Sequence, residues 1–320
     1  MDIINIYNIG LFLICEISLM ICFTGIRNKK EGFMYNSKRF FNNDDGNKDS
    51  SALFNDILSD EEFILLDEVI IGCWGDVSSE SSQKIIDNIV VNKDRFSKIK
   101  SLFIGDINYN EYQVWDILQG DYTKFWDAMP QLEKLIIQGS QNLVLGNIIH
   151  VNLKHFEIIC AGLPSSVIKD IKKAELPALE TLLLDIGIDE YGFDGNMDNI
   201  NSFLAESYFP NLKCIGFRES HYEDEIAGIL FNSKYISQIT TISLANGLLG
   251  DRGGQIVLDG LIKYPNIKKV DLHHHSMSAN MLDQLEEFAC KNNIEIDISE
   301  CQKPDAKKRK FSSKKRKNTL

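Results

Sequence analysis

One short phrase, Leu-x-x-Leu-x-Leu, recurs along this chain and limits what it can fold into more than any other feature. Its copies are Leu66-Val69-Ile71, Ile99-Leu102-Ile104, Leu132-Leu135-Ile137 and Leu153-Phe156-Ile158. They continue as Leu179-Leu182-Leu184, Leu212-Ile215-Phe217, Ile239-Ile242-Leu244 and Ile267-Val270-Leu272, with a last half-copy at Ile296-Ile298. From anchor to anchor the steps are 33, 33, 21, 26, 33, 27 and 28 residues. The last two apolar residues of each copy are two apart, so both lie on one face of a short strand; the first closes the turn leading in. One strand cannot bury such a face alone. A stack of them in a parallel sheet buries a continuous core, with Leu182 and Ile242 fully inside.

Between the copies, apolar residues recur at three- and four-residue spacing, as in Ile226, Ile229 and Leu230 or Leu282, Leu285 and Phe288. That spacing predicts amphipathic helices over Gln83–Val91, Ser165–Ala174, Asn199–Tyr208, Glu223–Tyr235 and Ala279–Cys290. Strand, helix and parallel strand require right-handed crossovers. The expected fold is therefore an α/β leucine-rich-repeat solenoid, a right-handed arc with parallel strands on its concave face and helices on its convex face. Pro130, Pro177, Pro210 and Pro265 each stand two residues before a strand anchor, where they end a helix and turn the chain inward. Such repeats often carry Asn three residues after the last strand leucine. Here those positions hold Ile107, Ser140, Ala161, Gly187, Ser220, Gly247 and His275. Water or backbone pairing is then expected to satisfy these turns.

Charge and hydropathy divide the chain into four parts: a hydrophobic N-terminal extension (1–33), an N-terminal cap (34–62), the repeat domain (63–300) and a basic, disordered tail (301–320). Residues 303–320 hold nine Lys/Arg and one Asp, a net of +8, so the remainder of this −12 chain carries −20. An acidic body disfavours nucleic acid, which leaves only the tail, with its two Lys-Lys-Arg-Lys clusters, to touch phosphate. Residues 3–26 are long and apolar enough to cross a bilayer, yet Asn5, Asn8 and Glu16 interrupt them, so a membrane anchor is disfavoured. The seven cysteines are odd in number and scattered without a Cys-x-x-Cys pair, which argues for reduced thiols and against structural zinc.

The side chains flanking the inward leucines point to the other face of the sheet. In the early repeats these are Cys73, Phe103, Asp106, Ile136, Gln138, Glu157, Ile159 and Asp185; the later ones give Arg218, Glu219, Asn246, Asp271, His273 and His274. The set is partly apolar in its first half and charged in its second, which suits a partner groove. Phe103, Asp106, Gln138, Glu157, Asp185, Arg218, Glu219, Asp271 and His273 are its candidate binding residues. Reversing Arg218 is expected to weaken capture at little cost in stability. The insertion 108–128 holds Glu111, Asp116 and Asp121 with Trp115, Tyr122 and Trp126, read as packing or as an aromatic anchor. His273-His274-His275 cannot converge, because alternate strand residues face opposite sides, so no metal is expected there. Gly250-Asp251-Arg252-Gly253-Gly254 reads as a loop opening a helix, with Asp251 as N-cap. No nucleophile, base or phosphate loop accompanies these groups, so neither catalysis nor a cofactor is expected.

The stretches IIGCWGD (70–76), SLFIGDINYNEYQVWDILQGDYTKFWDAMPQLEKLIIQG (101–139) and VDLHHHSMS (270–278) resemble an uncharacterised bacterial leucine-rich-repeat family found alongside proteins with a WGR domain. The resemblance spans roughly residues 35–300 and omits the N-terminal extension and the tail. It implies the repeat fold, a cytoplasmic bacterial setting and a protein partner, with a WGR-domain protein as one candidate. It brings no activity.

Overall fold

The computed structural model describes residues 35–42 and 49–301. The readings of residues 1–33 and of the basic tail fall outside them, apart from Cys301. Among the described residues, ten strands form one sheet whose spatial order is their chain order, and every neighbouring pair is parallel. The strands are β1 (Ser37–Phe40), β2 (Glu68–Ile71), β3 (Ser101–Ile104), β4 (Lys134–Gln138) and β5 (His155–Ile159). They continue as β6 (Thr181–Asp185), β7 (Cys214–Arg218), β8 (Thr241–Ser243), β9 (Lys269–Asp271) and β10 (Glu295–Asp297). Helices α1 (Ser50–Ser59), α2 (Gln83–Val91), α3 (Phe125–Ala128), α4 (Ser165–Lys172), α5 (Met197–Glu206), α6 (Glu223–Phe231), α7 (Asp251–Lys263) and α8 (Ala279–Asn292) lie in the crossovers.

The register follows the repeated phrase. Val69, Leu102, Leu135, Phe156, Leu182, Ile215, Ile242, Val270 and Ile296 pair rung to rung as one row across the sheet. Two residues on, Ile71, Ile104, Ile137, Ile158, Leu184 and Phe217 make a second row. Leu182 and Ile242 have no exposed surface, as the spacing requires. Both rows pack against helix residues such as Ile85, Ile168, Phe203, Ile226, Val257 and Leu285 in one continuous core. Clusters of rings fill its wider parts: Phe54, Phe63 and Phe96 at one end, Phe203, Phe209 and Phe217 further along.

The sheet begins earlier than the phrase does. β1 lies in the stretch read as a cap and pairs in register with β2, placing Phe40 beside Ile71. Lys38 holds the position of a core residue there but, on an edge strand, turns to Asp60 at 2.5 Å. Gly250, rather than Asp251, is the N-cap of α7; the Asp251 carboxylate instead accepts from the Ser278 amide at 2.6 Å and ties two repeats together.

Two sets of side chains do the work of the missing asparagines. After the strands, Ser140 donates to the Gly162 carbonyl, and His275 contacts the Ile298 carbonyl while accepting from the Met277 amide. Before the strands, the residue preceding the anchor is Gln131, Asn152, Asn211, Gln238 or Asn266 in five of the repeats. Each amide donates to backbone carbonyls of the preceding repeat: Phe96 and Ile99, Pro130, Pro177, Phe209 and Leu212, Ile236 and Ile239. This ladder satisfies carbonyls that the helix-to-strand turn leaves unpaired.

Candidate functional site

Alternate residues of the strands point away from the helices and form the open face. Along its central row stand Ile70, Phe103, Ile136, Glu157, Leu183, Gly216, Ser243, Asp271 and Asp297, in register from β2 to β10. The row is apolar from β2 to β4, and its first charged residue, Glu157, stands on β5. Phe103 is buried but does not belong to the continuous core, which identifies it as part of this second, smaller apolar surface. Gly216 leaves room for Leu183, whose Cδ2 would lie 2.8 Å from a Cβ added there.

The candidate residues separate into three groups. Asp106 and Gln138 are engaged inside the fold. Asp106 is 5% exposed, and its carboxylate takes the Arg39 Nε–H at 2.8 Å. Gln138 is 2% exposed and donates from Nε2 to the Ile107 carbonyl. Both side chains are too deeply buried to meet a partner on the open face without a rearrangement of the fold.

The second group is an ion cluster over β5–β7. Arg218 donates from Nε to Asp185 at 2.6 Å and from its terminal nitrogen to Glu157 at 2.8 Å. His155 lies 3.2 Å from the same Glu157. Burial works against the Glu157 carboxylate, but Arg218 and His155 outweigh it and hold its pKa at about 2. Asp185 moves the other way: burial and the Glu157 charge push it up against the pull of Arg218. Arg218 is 8% exposed, so the expectation that it is a surface charge, replaceable without loss, is corrected. It neutralises two carboxylates that the fold has taken from water.

The third group lies just beyond the strands, where the backbone turns left-handed on successive repeats at Glu219 (φ 60°), Asn246 (66°), His274 (57°) and Glu300 (61°). Non-glycine residues in this region are uncommon and strained, yet here they fall at one repeat position. Their amides extend the ladder past the strand ends: Glu219 to the Ala245 carbonyl, Asn246 to that of His273, His274 to that of Ser299. Burial and the neighbouring Asp185 push the Glu219 carboxyl up to about 8. Asp271 accepts from Ser243 at 3.0 Å and contacts His273 Nδ1 at 2.5 Å; the histidine contact outweighs burial and keeps the Asp271 pKa low. The three imidazoles do not converge. His273 meets Asp271, His274 pairs with Glu300, and His275 is fully buried in its turn.

The insertion is mostly structural. Tyr122 and Trp126 are buried in the core, and the Trp126 indole donates to the Leu145 carbonyl. Trp115 is half-buried and stacks on Tyr191 at 4.4 Å with the rings 10° apart. Its acids have separate tasks: Glu111 accepts from the Asn108 amide, and Asp121 accepts from that of Thr123. Sequence spacing missed Asn246 as one of a strained row and did not place Asp297 on the central row; the register of β8–β10 carried both signals.

Among the described residues, no helix is long and apolar enough to cross a membrane. No protein-family model matches the chain, and no curated protein does so either. Among solved structures it is similar to the crystal structure of a Bacteroides fragilis protein from a structural genomics consortium, with a TM-score of 0.76 and 33% identity. That match covers 83% of this chain and 75% of the other. At that identity and coverage, this chain belongs to the same family as the Bacteroides fragilis protein.

Proposed function

We propose that this protein is a leucine-rich-repeat solenoid acting as a non-enzymatic interaction scaffold, with a protein partner seated on the open, concave face of the sheet. The observation that supports this most is the composition of that face. Ile70, Ile136 and Leu183 are only half-buried on the central row, beside a charged, strained rim at the strand ends. Apolar area with a polar border is what a partner surface needs, the first for affinity and the second for specificity. In this reading the protein works in the bacterial cytoplasm, and a WGR-domain protein is a partner to test first.

A photo-cross-linking residue placed at Ile136 should capture one discrete partner in the native host, whereas the same residue at Val91, 80% exposed on α2, should not. Equal capture at both positions, or none at Ile136, would put the interface elsewhere. The second reading is an accessory role in a nucleic-acid-associated system, with the basic residues of 303–320 contacting phosphate. Binding of that kind falls steeply with salt, while groove binding does not.

A further inference from the structure

The C-terminal end of the open face holds a juxtaposition that partner binding does not require. Asp271 on β9 and Asp297 on β10 are direct neighbours in register, so two carboxylates stand on one face of adjacent strands. Neighbouring strands are about 4.8 Å apart, so the two carboxylates repel each other and a cation between them would relieve that repulsion. His273, two residues beyond Asp271 and so on the same face, is 8% exposed. One donor atom from each of Asp271, His273 and Asp297 lies within 4.8 Å of the other two. Two of the three are already oriented by hydrogen bonds, one from the neighbouring strand and one from its own turn. Ser243 donates to Asp271, and the amide and hydroxyl of Ser299 both donate to Asp297 at 3.0 and 2.7 Å. Hydrogen bonds of this kind fix metal-binding carboxylates in place.

We propose that Asp271, His273 and Asp297 form a binding site for a divalent transition-metal ion, with zinc as the best match to one imidazole and two carboxylates. Three protein donors leave coordination positions open towards the solvent side of the face, so water or a partner's own side chain completes the shell. A metal there takes the place of the hydrogen now shared by Asp271 and His273, with bonds of about 2.0–2.2 Å to each donor. Asp297 belongs to the half-copy of the repeat, which is why spacing around the three histidines did not bring it to the site.

The test is calorimetric titration of the full-length, chelator-stripped protein with zinc chloride and, separately, calcium chloride. One equivalent of zinc should bind with micromolar affinity and calcium at least tenfold more weakly. Asp297→Asn should weaken zinc at least tenfold; Asp297 is exposed, so this variant keeps its fold even if His273→Ala does not. The cobalt-substituted protein should show no sulfur-to-metal charge-transfer band. Absence of zinc binding, unchanged affinity in Asp297→Asn, calcium bound as tightly as zinc, or a thiolate band from an exposed cysteine such as Cys290 would each overturn the proposal.

Discussion

The two faces of one sheet obey different rules, although alternate residues of the same strands supply both. On the helix side each rung repeats the last: Leu135, Phe156, Leu182, Ile215 and Ile242 occupy equivalent places and all are fully buried. On the open side the character of the residue changes along the sheet, and Ile136, Glu157, Leu183, Gly216, Ser243 and Asp271 follow one another. The difference separates constraints that every repeat shares from those that a single place imposes. Stacking demands the first everywhere, since an apolar row must continue from rung to rung. Nothing in stacking demands a buried Arg218 between two carboxylates, and apolar residues of similar size often serve stability as well.

The sharpest test of that distinction is Arg218→Glu. It would gather three carboxylates where one cation now compensates two, and loss of a buried pair typically costs about 3–5 kcal/mol. Urea unfolding should show a loss of at least that order; a change under about 1 kcal/mol would mean the cluster is open to water and the open face lacks a private core. On the helix side, Leu182→Ala and Ile242→Ala should each cost about 2–5 kcal/mol through lost burial and the cavity left behind. Their losses should resemble each other, because their surroundings repeat. A several-fold disparity between them would break the comparison from the other side.

Third in size is a pH effect at the rim. The Glu219 carboxyl is raised from an ordinary 4.5 to about 8. A raised carboxyl binds its proton more tightly in the folded chain, so its contribution is complete below pH 4.5 and is lost as pH climbs towards 8. Glu219→Gln has no such proton to lose. Its stability relative to the parent should therefore rise across that window and level off above it, by roughly 2 kcal/mol after allowance for partial solvent contact. Parallel stability curves for the two proteins from pH 4 to 9 would remove Glu219 from the strained, charged rim.

How much of this was legible in the sequence follows the same division. The strands, the buried rows and most helices could be read because a period is visible in one dimension: α2 spans the residues that spacing assigns it, and α4, α5, α6 and α8 differ from their assigned ranges only at the ends. β1 could not, because an edge strand carrying Lys38 and Arg39 has no repeat phrase to announce it. At the open face, the pattern showed which side chains leave the helix side but not which of them are then used up. Asp106 and Arg218 look like available charges until their partners are known, and those partners lie 67, 61 and 33 residues away in sequence. Pairing across rungs depends on side-chain reach, which spacing does not encode. The amide ladder at the turns was different: Asn or Gln immediately before an anchor is plain in the sequence, and only the expectation of asparagine after the strand obscured it.

That ladder supplies the smallest effect and the most discriminating control. Asn266 is half-buried and donates to Ile236 and Ile239 of the preceding repeat; Gln131 makes the equivalent pair of bonds to Phe96 and Ile99. Asn266→Ala should cost about 1–2 kcal/mol, since net hydrogen bonds contribute about 1 kcal/mol and the orphaned carbonyls add a penalty. Gln131→Ala should cost the same, because the ladder is a shared constraint like the buried rows. The two sites are separated by several rungs and share no partner, so the double variant should lose the sum to within about 0.5 kcal/mol. Arg218→Ala combined with Glu157→Ala, by contrast, should fall well short of its sum, because the two side chains touch. Additivity in both pairs, read from the same denaturant titrations, would mean that the open face is as modular as the helix side and would remove the ground for treating it as a binding surface.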